Sequence, residues 1–394
     1  MNHQWKSNVI RFLTAQTISL LGSSLVQYAI VWHITLSTSS GRMMTIATVC
    51  GFLPQILISL FAGVWVDRFD RKLLSMVSDG VIAAATLALA ILFLTGHKSI
   101  WLLFAVLLIR SAGTGVQTPA VNAIIPQIVP REQLMRVNGI NSTVSSLMML
   151  LSPALSGAVL SVMSIESTFF IDVVTAVIGI GITAGVTVPR LTKHEDVQPG
   201  ICDIRDGFLY LKQHDLARNL LIFQIVTLIL ISPSAFLTPL LVSRTFGAEV
   251  WRLTVSEMTF SLGAVLGGVL IAARGGFKNR RHTILLAVAA YGTLMIGLGL
   301  APVYLVYLLV NLSIGITMPC YNTPITVMVQ EEVEPAMHGR IFSLVQISGS
   351  CALPLGMMIF GPLSDLVPIQ LLLVTCGCLV LAETAYVFGR RYFG

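Results

Sequence analysis

Between Val66 and Leu73 the chain sets Asp67-Arg68-Phe69-Asp70-Arg71-Lys72, five of these six residues charged, between two long apolar runs. The run before it, Met44–Val66, holds no charge, and the run after it, Leu73–Thr95, holds one, Asp79. A helix rises about 1.5 Å per residue, so each run is long enough to cross the roughly 30 Å hydrocarbon core of a bilayer. Lipid offers no partner to backbone N–H and C=O groups, so such runs must be helices and the charge cluster between them must sit in water. The rest of the chain keeps this rule. Of its 394 residues 55% are hydrophobic and 11% charged, against about 25% charged in soluble domains.

Hydropathy predicts twelve membrane helices. Six lie at Ile10–Leu36, Met44–Val66, Leu73–Thr95, Ile100–Asn122, Asn138–Met163 and Thr168–Val188. Six more lie at Leu220–Val242, Val255–Ala273, Thr283–Leu300, Val303–Tyr321, Ile341–Gly361 and Ile369–Phe388. The polar stretch 189–218 divides residues 1–188 from 219–394 as a linker, with a surface helix expected at Asp203–Leu216. With both termini in the cytoplasm, nineteen Lys and Arg fall inside and only Arg42, Lys98, Arg244 and Arg252 outside, leaving Arg110 in the membrane. Positive charge favours the cytoplasmic side, which fixes that orientation. Trp32, Trp101 and Trp251 near outer helix ends, with Trp5 and Trp65 near inner ones, read as interfacial belts. The cysteines sit mostly in apolar runs and suggest neither disulfides nor a metal site.

The two halves repeat. Gly115-Val116-Gln117-Thr118-Pro119-Ala120-Val121-Asn122 matches Gly315-Ile316-Thr317-Met318-Pro319-Cys320-Tyr321-Asn322 in Gly, Pro and Asn at an offset of 200. Arg136 and Arg340 each open the next helix, and Pro153 and Pro354 follow within it. Parallel repeats of this kind build some secondary transporters.

Gly63 through Lys72 spells G-x-x-x-D-R-x-x-R-K at the end of the second span, and it resembles the loop signature of the major facilitator superfamily. Ile109-Arg110-Ser111-Ala112-Gly113-Thr114 resembles the fourth-helix motif of that superfamily's proton-driven exporters, and Ser152-Pro153-Ala154-Leu155-Ser156-Gly157 loosely resembles their fifth-helix antiporter motif. Together with Gly51-Phe52-Leu53-Pro54, Thr118–Ala123 and Gly339–Leu344 they are similar to the macrolide-efflux branch of drug:proton antiporters. The resemblance implies an all-α fold of two six-helix halves and export driven by the proton gradient, with no cofactor. It implies a gate at Gly63, Asp67, Arg68, Arg71 and Arg340, with Gly63 allowing close helix approach and Asp67 meeting a helix N-terminus. The family usually has Gly where Asp70 stands.

The residues themselves point to chemistry. Arg110 lies near mid-bilayer, where a charge costs about 3 kcal/mol even on lenient scales, so it must face a cavity or a partner. Asp79, Asp172, Glu257 and Glu383 are the candidate membrane carboxylates, the first three being expected to share proton coupling with Arg110. Pro153 and Gly157 should bend or thin the fifth helix. Gln16, Gln27, Tyr28, Asn122, Asn141, Gln224 and Asn311 are the candidate cavity residues, a sparse set suited to a bulky, mostly apolar compound. The expected partners are a hydrophobic small molecule, protons and the bilayer, in a bacterial-type plasma membrane. Nucleic acid is not expected, and the chain is expected to act as a monomer. Export of a native metabolite or siderophore, and lipid flipping or scrambling on the same fold, stay open. No nucleophile–base pair or metal cluster is visible, so an enzyme is not expected.

Overall fold

The computed structural model describes residues 4–189, 209–274, 279–334 and 337–389. The polar stretch 190–208, including the first part of the expected surface helix, lies outside them. Among the described residues twelve helices are long and apolar enough to cross a membrane. They are α1 (Gln4–Thr38), α2 (Gly41–Arg68), α3 (Arg71–Leu94), α4 (Ile100–Ile128), α5 (Leu134–Val162) and α6 (Ile165–Ala184). Then come α7 (Asp215–Phe236, resumed as Thr238–Thr245), α8 (Val250–Arg274), α9 (Arg280–Gly299), α10 (Tyr304–Glu332), α11 (His338–Leu363) and α12 (Ile369–Gly389).

Several helices outrun their apolar windows. α4 continues to Ile128 and α10 to Glu332, because hydropathy measures the lipid-facing length while a helix continues through the interface until the backbone is stopped. α7 breaks at Leu237, between Pro233 and Pro239. Proline supplies no N–H and clashes with the preceding turn, but it suits the first turn of the helix that resumes.

The chain divides into two compact units, Met1–Ile34 with Val49–Gly200, and Thr35–Thr48 with Ile201–Gly394. In the first, α3 packs on α4 and α6. Gly115 brings α4 against α2, where a Cβ would stand 2.8 Å from the Gln55 carbonyl oxygen. Val9, Phe12, Ile124, Ile125 and Ile128 close the far end of α4 in an apolar cluster. Asp70 caps α3, its carboxylate accepting from the N–H groups of Lys72 at 2.9 Å and Leu73 at 3.2 Å. These orphan donors open every helix, and a short acceptor side chain satisfies them.

In the second unit α8 packs on α10, and α9 on α12 and α10. Gly315 brings α10 against α8, where a Cβ would overlap the Phe260 carbonyl and stand 2.9 Å from the Ala264 nitrogen. Asn279 caps α9 through Arg281 N–H at 3.1 Å. The α1–α2 turn also belongs here. Asp365 accepts from Gly41 N–H at 2.7 Å, Arg42 N–H at 3.0 Å and Ser40 Oγ at 2.8 Å, and pairs with Arg244 at 2.8 Å. Partial burial alone would raise this carboxyl. The backbone donors of Arg42 and Gly41, then Ser40 and Arg244, outweigh it and hold Asp365 below the usual carboxylate range.

Trp32 departs from expectation. It is 1% exposed and set among core residues, so it is no part of an interfacial belt, whereas Trp101 and Trp251 are 65% and 52% exposed.

Candidate functional site

Arg110 is buried in the middle of α4. Its guanidinium donates to the Asp172 carboxylate of α6 and to Thr86 Oγ1 of α3, and to the Ser23 carbonyl of α1 at 3.1 Å. Asp172 is 1% exposed and takes a further bond from Ser23 Oγ at 3.3 Å. A buried charge persists only when it is paired and hydrogen-bonded, and Arg110 has both the Asp172 carboxylate and two further acceptors. Four helices therefore converge on one ion pair.

Asp79 of α3 is a further buried carboxylate of this unit. It accepts from Ser19 Oγ of α1 at 3.0 Å and from Gln117 Nε2 of α4. Both donors are neutral, and among the described residues no cation pairs with it.

Ser19, Ser23, Arg110 and Gln117 all face a cavity of about 420 Å³ within this unit. Gln16, Gln27, Asn122 and Asn141 line it, as do Gln55, Ser111, Thr114, Ser145, Phe52 and Val144. Its volume lies in the range of small-molecule sites. Hydroxyls and amides dominate the polar part of the wall, a richer set than the sparse one expected. The additional residues were legible in one respect. Arg110, Thr114 and Gln117 recur at i, i+4 and i+7, one face of a helix, so the face that carries the charge also names its neighbours.

Three expected cavity residues lie elsewhere. Gln224 is buried and donates to the Val345 carbonyl at 3.3 Å. Asn311 donates to the Ser256 carbonyl at 2.8 Å. Tyr28 packs its ring on Trp32, with centroids 5.5 Å apart. Polar side chains in a membrane helix serve as interhelical bonders at least as readily as ligand contacts. Glu257 is half-buried on α8 of the second unit and takes no part in the Arg110 network. Pro153 and Gly157 are buried in α5, and neighbouring Ser156 donates to the Leu25 carbonyl at 3.2 Å, tying α5 to α1.

The gate residues are placed by their own unit. Arg71 donates to the carbonyls of Val66 and Ala123, each at 3.1 Å, and so joins the end of α2 and the start of α3 to α4. Arg68 is exposed and Arg340 half-buried. The side chain of Asp67 lies outside the described residues. A Cβ on Gly63 would meet nothing within 4 Å, so no close helix approach exists there in this conformation, contrary to the expectation. The helix-capping carboxylate of this loop is Asp70, the residue that departs from the usual pattern.

Comparison with known proteins agrees with this architecture. The Major Facilitator Superfamily model matches residues 12–357. Macrolide efflux protein A of Streptococcus pyogenes is 29% identical over 383 residues, covering 96% of this chain and 95% of that protein. Macrolide efflux protein A of Enterococcus faecalis is 30% identical over 319 residues, covering 80% of this chain and 99% of that one. A crystal structure of a mutant of the nucleoside transporter NupG superposes with a TM-score of 0.76 at 13% identity, covering 100% of both chains, a likeness of fold alone.

Proposed function

The chain belongs to the Major Facilitator Superfamily, and on that premise we propose that it exports macrolide-like drugs in exchange for protons. It is a multi-pass membrane transporter. The proposal places it in a bacterial plasma membrane with both termini cytoplasmic, as the distribution of Lys and Arg favours. The two six-helix halves flanking 189–218 would rock to open the cavity to each side in turn.

The observation that carries the reading is the juxtaposition of the polar cavity with two buried carboxylates in different states of pairing. Asp172 is tied to Arg110 and serves as a fixed charge pair that orients the wall. Asp79 is held by neutral donors that themselves face the cavity, so it is assigned the exchanged proton. With Asp79 ionised, Ser19 and Gln117 are held in the arrangement that binds a ligand, and a proton on Asp79 ends that hold. Loss of that proton draws them back. Drug and proton then compete for the same side chains, which is what exchange requires. A macrolide is a large lactone bearing hydroxyls, carbonyls and sugars. An amide- and hydroxyl-rich wall interrupted by Phe52 and Val144 matches that mixture of polar and apolar surface.

Uptake of erythromycin into inside-out vesicles, with and without an imposed pH gradient, tests the reading. Gradient-driven accumulation is expected. Folded protein that accumulates no macrolide under either condition would refute the substrate class, and accumulation indifferent to the gradient would refute the exchange.

A further inference from the structure

The second unit carries a polar group that the account above leaves unused. Tyr321 of α10 is 4% exposed, and its hydroxyl finds no hydrogen-bond partner among the described residues. Leaving a buried hydroxyl unpaired is costly, and inside a membrane protein no bulk water relieves it. Tyr321 lines a small cavity of about 10 Å³ together with Thr227 of α7 and Tyr291 of α9. That is room for one water molecule, and among the mostly apolar residues around it Tyr321, Thr227 and Tyr291 each carry a hydroxyl. The hydroxyl of Thr227 donates to Glu383 Oε2 of α12 at 3.2 Å. Tyr291 is already engaged with Ser234 at 2.8 Å. Four helices of the unit thus meet around a void, an orphan hydroxyl and a membrane carboxylate.

We propose that this cavity holds one ordered water between Tyr321 and Thr227, and that water and Thr227 make Glu383 a second proton-carrying carboxyl. The proposal rests on the proton-exchange reading and deepens it. The step is a simple transfer. A hydrated proton binds a Glu383 oxygen, an O–H bond forms, and the carboxyl returns the proton to water later in the cycle. Nothing is oxidised or reduced. The groups facing Glu383 are few. α7 offers Thr227, which donates to it, and α10 offers Tyr321. His282 at the start of α9 stands against Phe388, one turn along α12. Among the described residues no Lys or Arg forms an ion pair with Glu383, so nothing fixes its charge as Arg110 fixes that of Asp172.

Two variants of the purified full chain in lipid test this, and neither measurement requires transport. Tyr321→Phe deletes only the orphan hydroxyl. If the cavity is dry, removing an unpaired polar group leaves the unfolding midpoint unchanged or raises it. If a water bridges it, the midpoint falls, and the proposal expects the fall. Infrared difference spectra across a pH step should show a protonated-carboxyl band that is lost in Glu383→Gln and moved to higher frequency in Tyr321→Phe. A band that persists in Glu383→Gln, or one that Tyr321→Phe leaves in place, overturns the proposal. Failure of the vesicle experiment with a positive infrared result would instead refute the exchange reading and leave the site standing.

Discussion

The two halves of this transporter share their scaffold and differ in their charge. Gly115 and Gly315 sit 200 residues apart, and each lets the fourth helix of its half press on the second. Four residues before each glycine, Ser111 accepts from Gln55 N–H at 3.0 Å, and its counterpart Asn311 donates to the Ser256 carbonyl at 2.8 Å. Each again binds the neighbouring helix's backbone. Asp70 and Asn279 cap the third helix of each half, and the next residue, Arg71 or Arg280, reaches the end of the fourth. Arg71 finds the Ala123 carbonyl there, while Arg280 finds Glu331 at 2.6 Å. Beside these matched sites stands an unmatched one. Arg110 has Val310 as its counterpart. The matched sites hold helices together, while the Arg110–Asp172 ion pair, buried on both sides, stands among the described residues in the first half alone.

Four sets of substitutions sharpen or break this comparison. The largest effect belongs to the unmatched site. Asp172→Ala strands Arg110 without its carboxylate, and breaking a buried pair costs about 3–5 kcal/mol. Thermal unfolding in detergent should show that loss. The double change Arg110→Met with Asp172→Leu should recover most stability but no gradient-driven transport. Equal transport in the double variant would remove the pair from the mechanism.

Next comes Asp365→Ala, which leaves the first N–H groups of α2 and Arg244 without their acceptor. Hydrogen bonds to a charged group contribute about 1.5–3 kcal/mol. The folded state holds this carboxyl below its ordinary value. Its contribution is therefore complete above the unfolded value of about 3.9 and vanishes as pH falls through the lower folded one. Acidification through that window should destabilise the wild type more than Asp365→Ala. Parallel curves would show that the carboxylate contributes nothing there.

Gly115→Val and Gly315→Val should each cost about 1–3 kcal/mol by overpacking. Similar losses support the shared scaffold, and tolerance of one alone would break it. The smallest effects belong to the caps. Asp70→Ala and Asn279→Ala should each cost about 1 kcal/mol, measured as matched shifts of the unfolding midpoint.

The sequence made the helices legible because lipid permits so few backbone solutions. It also made Arg110 legible, since a charge in mid-membrane needs a reason. What it could not name was partners. Asp172 and Asp79 were equal candidates until α6 was placed beside α4, and three-dimensional adjacency alone distinguishes them. Asn311 and Gln224 carry the same chemistry as Asn122 and Gln16, yet they bond to neighbouring helices, because burial and not residue type decides the role. Asp365 offered no signal at all. Its partners in the α1–α2 turn lie more than 300 residues earlier in the chain and Arg244 lies 121 earlier, and a loop carboxylate looks like any solvated charge until its donors are seen.

Proton counterflow is the most direct measure of the central claim, that charges of the first half couple drug to proton. Purified protein in liposomes, loaded with erythromycin on one side and a pH-sensitive dye on the other, reports protons moved per drug. The account predicts that Asp79→Asn still passes drug down its own gradient with a lower proton-to-drug ratio than the wild type. An unchanged ratio in that variant would contradict it.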